Sequence, residues 1–117
     1  MQRRLRLRLE SDFVRLRSEG HVCQNRWLVL SVVPNALEHN RYGFITGRSL
    51  GKAVVRNRVR RLMREAIRLL HPRLRSGYDV VLIGRTALVG QPFPFVQQVV
   101  AELCSRASLL PTESERS

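Results

Sequence analysis

The 117-residue sequence has few cysteines and no long apolar run, and each scarcity excludes a class of protein. Cys23 and Cys104 are too few and too far apart for a disulfide scaffold or for the paired spacing of a zinc site, so we expect two buried free thiols. No apolar run reaches the roughly 18 to 20 residues that cross a bilayer. Met1 to Leu9 alternates Arg with Leu, unlike a signal peptide. The sequence therefore predicts a cytoplasmic protein that does not enter a membrane.

Groups that catalyse reactions are scarce as well. His21, His39 and His71 are far apart in the sequence, and no motif pairs any of them with a nucleophile or a carboxylate. His71 precedes Pro72 at a predicted helix end, where the helix dipole mildly favours a cation. The nine acidic residues form no spaced pair typical of a two-metal site. We predict no catalytic residue and no metal ligand on this chain.

Positive charge is in excess. The chain has 21 basic and nine acidic residues, which give a formal net charge of +12. Lys52 is the only lysine, and arginine forms bidentate contacts with phosphate and stacks on bases. A codon bias explains the choice of Arg over Lys equally well, but it does not explain the net charge. Because a charge of this size attracts polyanions, nucleic acid is the leading partner class.

The pattern along the chain predicts one α+β domain over residues 1–110, followed by a polar tail, 111–117, that we expect to be disordered. Ser11 is placed to cap a short first helix that ends at Gly20. A terminal amphipathic helix begins near Phe95, after Pro92 and Pro94.

Three runs predict strands: Arg26–Val33, Arg41–Thr46 and Tyr78–Ile83. We expect the first two to pair as an antiparallel hairpin across the polar turn between them. The third is bounded by glycines and is apolar enough for the middle of a sheet.

The segment from Lys52 to Leu70 predicts a long helix with two different faces. One face is an apolar stripe for burial against the sheet: Val55, Val59, Leu62, Met63, Ala66, Ile67 and Leu70. The other carries Arg56, Asn57, Arg58, Arg60, Arg61, Arg64 and Arg68, with Glu65 as its one acid.

This arginine-rich face predicts binding of a polyanion. Arg56, Arg60, Arg64 and Arg68 follow one another at i, i+4, a spacing at which like charges destabilise a helix by a few tenths of a kcal/mol each. A purely structural role leaves that repulsion unexplained. The segment 47–52 before the helix is basic and contains two glycines, so its backbone N–H groups can meet phosphate, although the glycines equally serve the turn alone.

The run GKAVVRNRVRRLMREA, from Gly51 to Ala66, closely resembles the signature of the bacterial ribonuclease P protein family, with its Arg-Asn-Arg core. The resemblance extends to Asp12-Phe13, Arg26-Trp27 and Gly43-Phe44. It implies a mostly antiparallel sheet of about four strands with three helices, in the order α-β-β-β-α-β-α. It also implies a left-handed βαβ crossover, against the general rule.

The same resemblance implies a function. The protein would bind the catalytic RNA of ribonuclease P and the 5′ leader of precursor tRNA, and would assist endonucleolytic removal of the leader. Hydrolysis would belong to the RNA and to Mg²⁺ that the RNA mainly holds. By position, the RNA-binding candidates are Arg48, Lys52, Arg56, Asn57, Arg58, Arg60, Arg61, Arg64 and Arg68. The candidates for a cleft that takes the leader are Phe13, Arg17 and Trp27, and for Trp27 ordinary core packing is an equal alternative.

Other small basic proteins are alternatives. A ribosomal protein or a general RNA chaperone is also small, basic and rich in arginine. A helix-turn-helix DNA binder is disfavoured because the long helix follows strands instead of a short helix and a tight turn. A membrane-surface helix is disfavoured because its apolar side lacks an interfacial Trp.

Overall fold

The structure is a computed structural model that describes residues 20–110, and within that range it contains four strands and two α-helices. In chain order these are β1 (His21–Gln24), β2 (Leu28–Pro34), β3 (Arg41–Thr46), α1 (Ala53–Leu70), β4 (Tyr78–Gly84) and α2 (Phe93–Arg106). The order confirms the β-β-β-α-β-α part of the prediction. The predicted first helix, the third of the three expected, and the polar tail lie outside the described residues.

The four strands form one sheet in the order β1-β2-β4-β3. β2 pairs with β1 and β4 antiparallel, and β3 pairs with β4 parallel. The predicted hairpin between the second and third strands is therefore wrong. β4 separates them because nearly all of its residues are buried, which suits a central strand, as its apolar run predicted.

The two helices cover one face of the sheet. The core joins residues of β2 and β4, such as Leu30 and Leu82, to the inner faces of both helices. The stripe predicted for α1 is confirmed: Val59, Met63, Ala66, Ile67 and Leu70 are buried, and Val55 and Leu62 are partly buried. Apolar residues at helical spacing thus fix which side of each helix turns inward.

Both ends of α1 are tied to the sheet. At the C-terminal end, the Tyr42 hydroxyl hydrogen-bonds His71 Nδ1 at 2.7 Å, and the two rings meet edge to face. His71 is the C-cap residue of α1, as its place before Pro72 suggested. Burial raises the pKa of Tyr42 to about 12, so its hydroxyl stays protonated. Nearer the N-terminal end, Gly84 lies so close to α1 that a Cβ there would be 3.0 Å from Val59 Cγ1.

The two cysteines are free and buried, as predicted. Cys23 projects from β1 and Cys104 from α2, into the same core. Burial raises the pKa of the Cys104 thiol to about 12, with a smaller contribution from Cys23. The Cys104 thiol therefore acts as a small apolar side chain.

Candidate nucleic-acid interface

The approach to α1 leaves the N-terminus of the helix open. β3 ends at Thr46, a 3-10 turn spans Arg48–Leu50, and Gly51 adopts a φ of 127° that a residue with a side chain rarely takes. Lys52 then serves as N-cap through its carbonyl, and among residues 20–110 no side chain caps this end. The first turn contains no acid. The partial positive charge of the helix end thus adds to the charge of Arg48 and Lys52, which are both exposed.

The outer face of α1 carries its arginines outward, as predicted, in two rows. Arg56, Arg60 and Arg64 form a partly buried row at i, i+4 spacing beside β3. The second row is exposed and consists of Asn57, Arg58, Arg61 and Arg68. The predicted RNA-binding residues of α1 are therefore all on one side of the molecule.

The partly buried row is held by neighbouring side chains. The Arg64 guanidinium carbon lies 5.8 Å from the centre of the Phe44 ring of β3, within the range of a cation–π interaction. Arg60 donates a hydrogen bond to Asn57 Oδ1. Within the described part of the chain, the Nε atoms of Arg56 and Arg64 are buried and have no hydrogen-bond partner. Buried unsatisfied donors are rare in folded proteins and are often found at functional sites.

Arg68 differs from the other arginines of α1 because an acidic side chain, Glu65, binds it. Arg68 Nε donates to Glu65 Oε2 at 2.9 Å, and Arg68 Nη2 donates to Glu65 Oε1 at 2.5 Å. These hydrogen bonds lower the pKa of Glu65 and raise the pKa of Arg68. The pair is exposed, so phosphate can compete with Glu65 for Arg68. Arg68 is thus the least available of the predicted RNA-binding residues on α1.

The outer face of α1 also borders an open concavity of about 910 Å³. Its described lining consists of Val54, Asn57, Arg58, Arg60, Arg61 and Arg64. Val54 is 73% exposed, an unusual place for a large apolar side chain. Sequence reasoning missed both Val54 and Phe44. Val54 was detectable, since it falls on the arginine side of the helical wheel.

The residues predicted to form a leader cleft are only partly described. Trp27 lies in the turn between β1 and β2, where its partly buried ring meets Phe95 of α2 edge to face, with the ring centres 5.1 Å apart. This contact is core packing against the C-terminal helix. Phe13 and Arg17 lie outside the described residues.

The part of the chain that the structure describes contains neither a metal-binding cluster nor a membrane-spanning helix. Over residues 20–110, no three His, Cys, Asp or Glu side chains are grouped to hold a metal ion. No helix in that range is long and apolar enough to span a bilayer.

Comparison with known proteins identifies the family. The family model for ribonuclease P matches residues 1–108. The ribonuclease P protein component of Symbiobacterium thermophilum is 46% identical over 97% of this chain and 99% of its own length. That of Chloroflexus aurantiacus is 42% identical over the whole of this chain and 87% of its own.

Solved structures agree with this assignment. The ribonuclease P protein of Thermotoga maritima superposes with a TM-score of 0.80 at 32% identity, over 86% of this chain and 96% of the other. A mutant ribonuclease P protein of Staphylococcus aureus gives a TM-score of 0.86 at 26% identity, over 92% of this chain and 91% of the other. The chain therefore belongs to the ribonuclease P protein family, whose members are subunits of an endoribonuclease that processes tRNA and in which the catalytic role lies with the RNA.

Proposed function

We propose that this protein binds the catalytic RNA of ribonuclease P through the outer face of α1 and the segment before it. The observation that carries the proposal is the outward arginine face, on which Glu65 is the one acid. The proposed contacts are those of Arg48, Lys52, Arg56, Asn57, Arg58, Arg60, Arg61, Arg64 and Arg68. Guanidinium groups neutralise phosphates and so lower the repulsion between RNA segments that must lie close together.

The second part of the proposal concerns the substrate. The protein would bind the single-stranded 5′ leader of precursor tRNA with Phe13, Arg17 and Trp27, and so favour the uncleaved precursor over the product. Mg²⁺, held mainly by the RNA subunit, would supply the chemistry of hydrolysis, and this chain would contribute affinity and charge. The left-handed β3-α1-β4 crossover and a location in the cytoplasm complete the proposal.

The test of the RNA-binding part is reconstitution with ribonuclease P RNA. The protein should restore cleavage of precursor tRNA at low Mg²⁺, and binding measured by fluorescence should weaken with salt at a log-log slope of several units. The double variant Arg60→Ala/Arg64→Ala should weaken binding at least about tenfold and lower the slope by roughly 1.5, because each lost phosphate contact removes about 0.7 to 0.9. A protein that binds the RNA equally at all salt concentrations, or that fails to restore cleavage, would contradict the proposal.

The test of the leader part uses two substrates, precursor tRNA with and without its leader. Trp27→Ala should weaken binding only of the substrate that carries the leader. Phe95→Leu is the matched control, since it disturbs the packing partner of Trp27 and leaves the indole in place. Equal effects of the two variants, or equal effects on the two substrates, would assign Trp27 to core packing.

A further inference from the structure

A second basic cluster surrounds the turn between β1 and β2. Arg85, which follows β4, donates a hydrogen bond from Nη1 to the carbonyl oxygen of Asn25 at 3.2 Å. Arg106, the last residue of α2, donates from Nη1 to the carbonyl oxygen of Gln24 at 3.5 Å. Arg26 follows Asn25 in the turn, and its side chain is exposed. Since Gln24 and Asn25 are adjacent, guanidinium groups from three separate elements are gathered around one short turn.

The Asn25 side chain holds the backbone of the turn. Asn25 Oδ1 accepts hydrogen bonds from the backbone N–H groups of Trp27 at 2.9 Å and Leu28 at 3.0 Å. These two donors fix the orientation of the amide, because the reverse orientation would direct the NH₂ group at them. Within residues 20–110, Asn25 Nδ2 is buried and finds no acceptor. Because that nitrogen is buried, an external anion meets the guanidinium groups around the turn and not the amide.

Within residues 20–110, no acidic side chain forms an ion pair with this cluster. Glu102 lies one helical turn before Arg106 on α2, and no ion pair joins them in the described part of the chain. The ion pairs found there are Arg41 with Asp79, at the other end of the sheet, and Arg68 with Glu65. The three guanidinium groups thus keep their charge for an external anion.

The strand register places this cluster at the end of the sheet where the basic segment 47–52 leads into α1. Leu28 of β2 faces Gly84 of β4, and Gly84 faces Thr46 of β3. The turn before Leu28, Arg85 after Gly84, and Arg48 and Lys52 after Thr46 therefore lie at the same end of the sheet. Neighbouring strands are about 4.8 Å apart, so this end is only about 15 Å wide from β1 to β3.

We propose that Arg26, Arg85 and Arg106 form a second RNA-binding patch that continues the outer face of α1 across this end of the sheet, on a turn that Asn25 holds in place. Its ligand is the phosphate backbone of the RNA that α1 binds, so the proposal rests on the proposed function. A continuous basic surface from α1 to the β1–β2 turn contacts successive phosphates of one strand, which α1 alone cannot reach.

The experiment measures binding of the full chain to ribonuclease P RNA across a range of salt concentrations. The triple variant Arg26→Ala/Arg85→Ala/Arg106→Ala should weaken binding about tenfold or more and lower the salt slope by about two, since three phosphate contacts are lost. Arg26→Ala should give part of this effect. The matched control is Arg73→Ala, which removes one exposed arginine from the turn His71–Arg73 at the opposite end of the sheet.

A charge reversal separates binding from folding. Arg26→Glu changes an exposed side chain without a described contact, so it stays informative if loss of Arg85 and Arg106 unfolds the turn. It should weaken RNA binding several-fold without lowering the midpoint of thermal unfolding by more than a few degrees.

The outcomes distinguish this proposal from the proposed function. Normal binding by the triple variant and by Arg26→Glu, with weak binding by Arg60→Ala/Arg64→Ala, would overturn the second patch and leave the α1 surface standing. An equal loss for Arg26→Ala and Arg73→Ala would reduce the effect to net charge and also overturn it. If no arginine variant changed RNA binding, the proposed function and the second patch would fall together.

Discussion

Helices α1 and α2 lie side by side on the same face of the sheet, and their inner faces are built alike. Their outer faces differ. α2 exposes Gln98, Glu102, Ser105 and Arg106, a mixture in which Glu102 and Arg106 have opposite signs at i, i+4. The outer face of α1 instead carries Arg56, Arg60 and Arg64 at that spacing, and like charges so placed destabilise a helix by a few tenths of a kcal/mol per pair. The buried stripe therefore shows where each helix packs, and the outer face indicates that α1 is the helix whose whole length we expect to meet a partner.

The largest expected effects are on stability and concern the buried inner faces, in which the two helices are alike. Ile67→Ala in α1 and Leu103→Ala in α2 each remove a fully buried side chain, so each should cost roughly 2 to 5 kcal/mol of unfolding free energy. Chemical denaturation measures both. The fraction of each variant that remains folded should bind RNA with normal affinity. A cost confined to one helix would break the equivalence of the two inner faces.

A smaller effect is expected where the outer face of α1 touches the sheet. Phe44→Leu removes the ring beneath Arg64 but keeps an apolar side chain, and a cation–π contact contributes about 0.5 to 1 kcal/mol. Because the ring positions the Arg64 guanidinium without neutralising its charge, its loss should lower RNA affinity roughly two- to fivefold. In a double-mutant cycle, this loss should disappear when Arg64 is already Ala and persist when Arg61 is Ala, because Arg61 is exposed and away from the ring. Equal losses in both backgrounds would show that Phe44 acts through the fold.

The smallest effect concerns the one acid on the outer face of α1. Glu65→Gln should release Arg68 and raise RNA affinity by a factor of about two, since an ion pair this exposed is weak. Glu65 has a lowered pKa, so its contribution to stability is present at neutral pH and is lost as the pH falls through that pKa. Wild-type affinity should therefore approach that of Glu65→Gln at acidic pH. An unchanged or lower affinity in the variant would mean that Arg68 does not meet the RNA.

The sequence predicted what depends on local periodicity and missed what depends on distant partners. Residues at 3.6-residue spacing determine which face of α1 is buried, so Val59, Met63 and Ile67 were identified correctly. The pairing of β3 with β4 is set by the whole sheet, and no local signal in Arg41–Thr46 distinguishes parallel from antiparallel partners. The residue pattern did not indicate β1, because only Cys23 of its four residues is buried, and the family resemblance alone implied a strand there.

The same distinction applies to the candidate site. The arginine face was visible because its members lie on one helix, whereas Phe44 meets Arg64 across 20 residues of sequence. Arg26, Arg85 and Arg106 are scattered along the chain, and only the strand register and two backbone contacts bring them to one turn.

The close approach of Gly84 to Val59 determines how near α1 lies to the sheet. Since Gly84 immediately precedes Arg85, the residue that lets α1 settle onto the sheet is adjacent in the chain to a guanidinium of the β1–β2 turn. An added methyl group would crowd Val59 Cγ1, so that side chain, or the helix that carries it, would have to give by a few tenths of an ångström. The spacing between the two proposed RNA-binding surfaces thus depends on a hydrogen atom where most residues would have carbon.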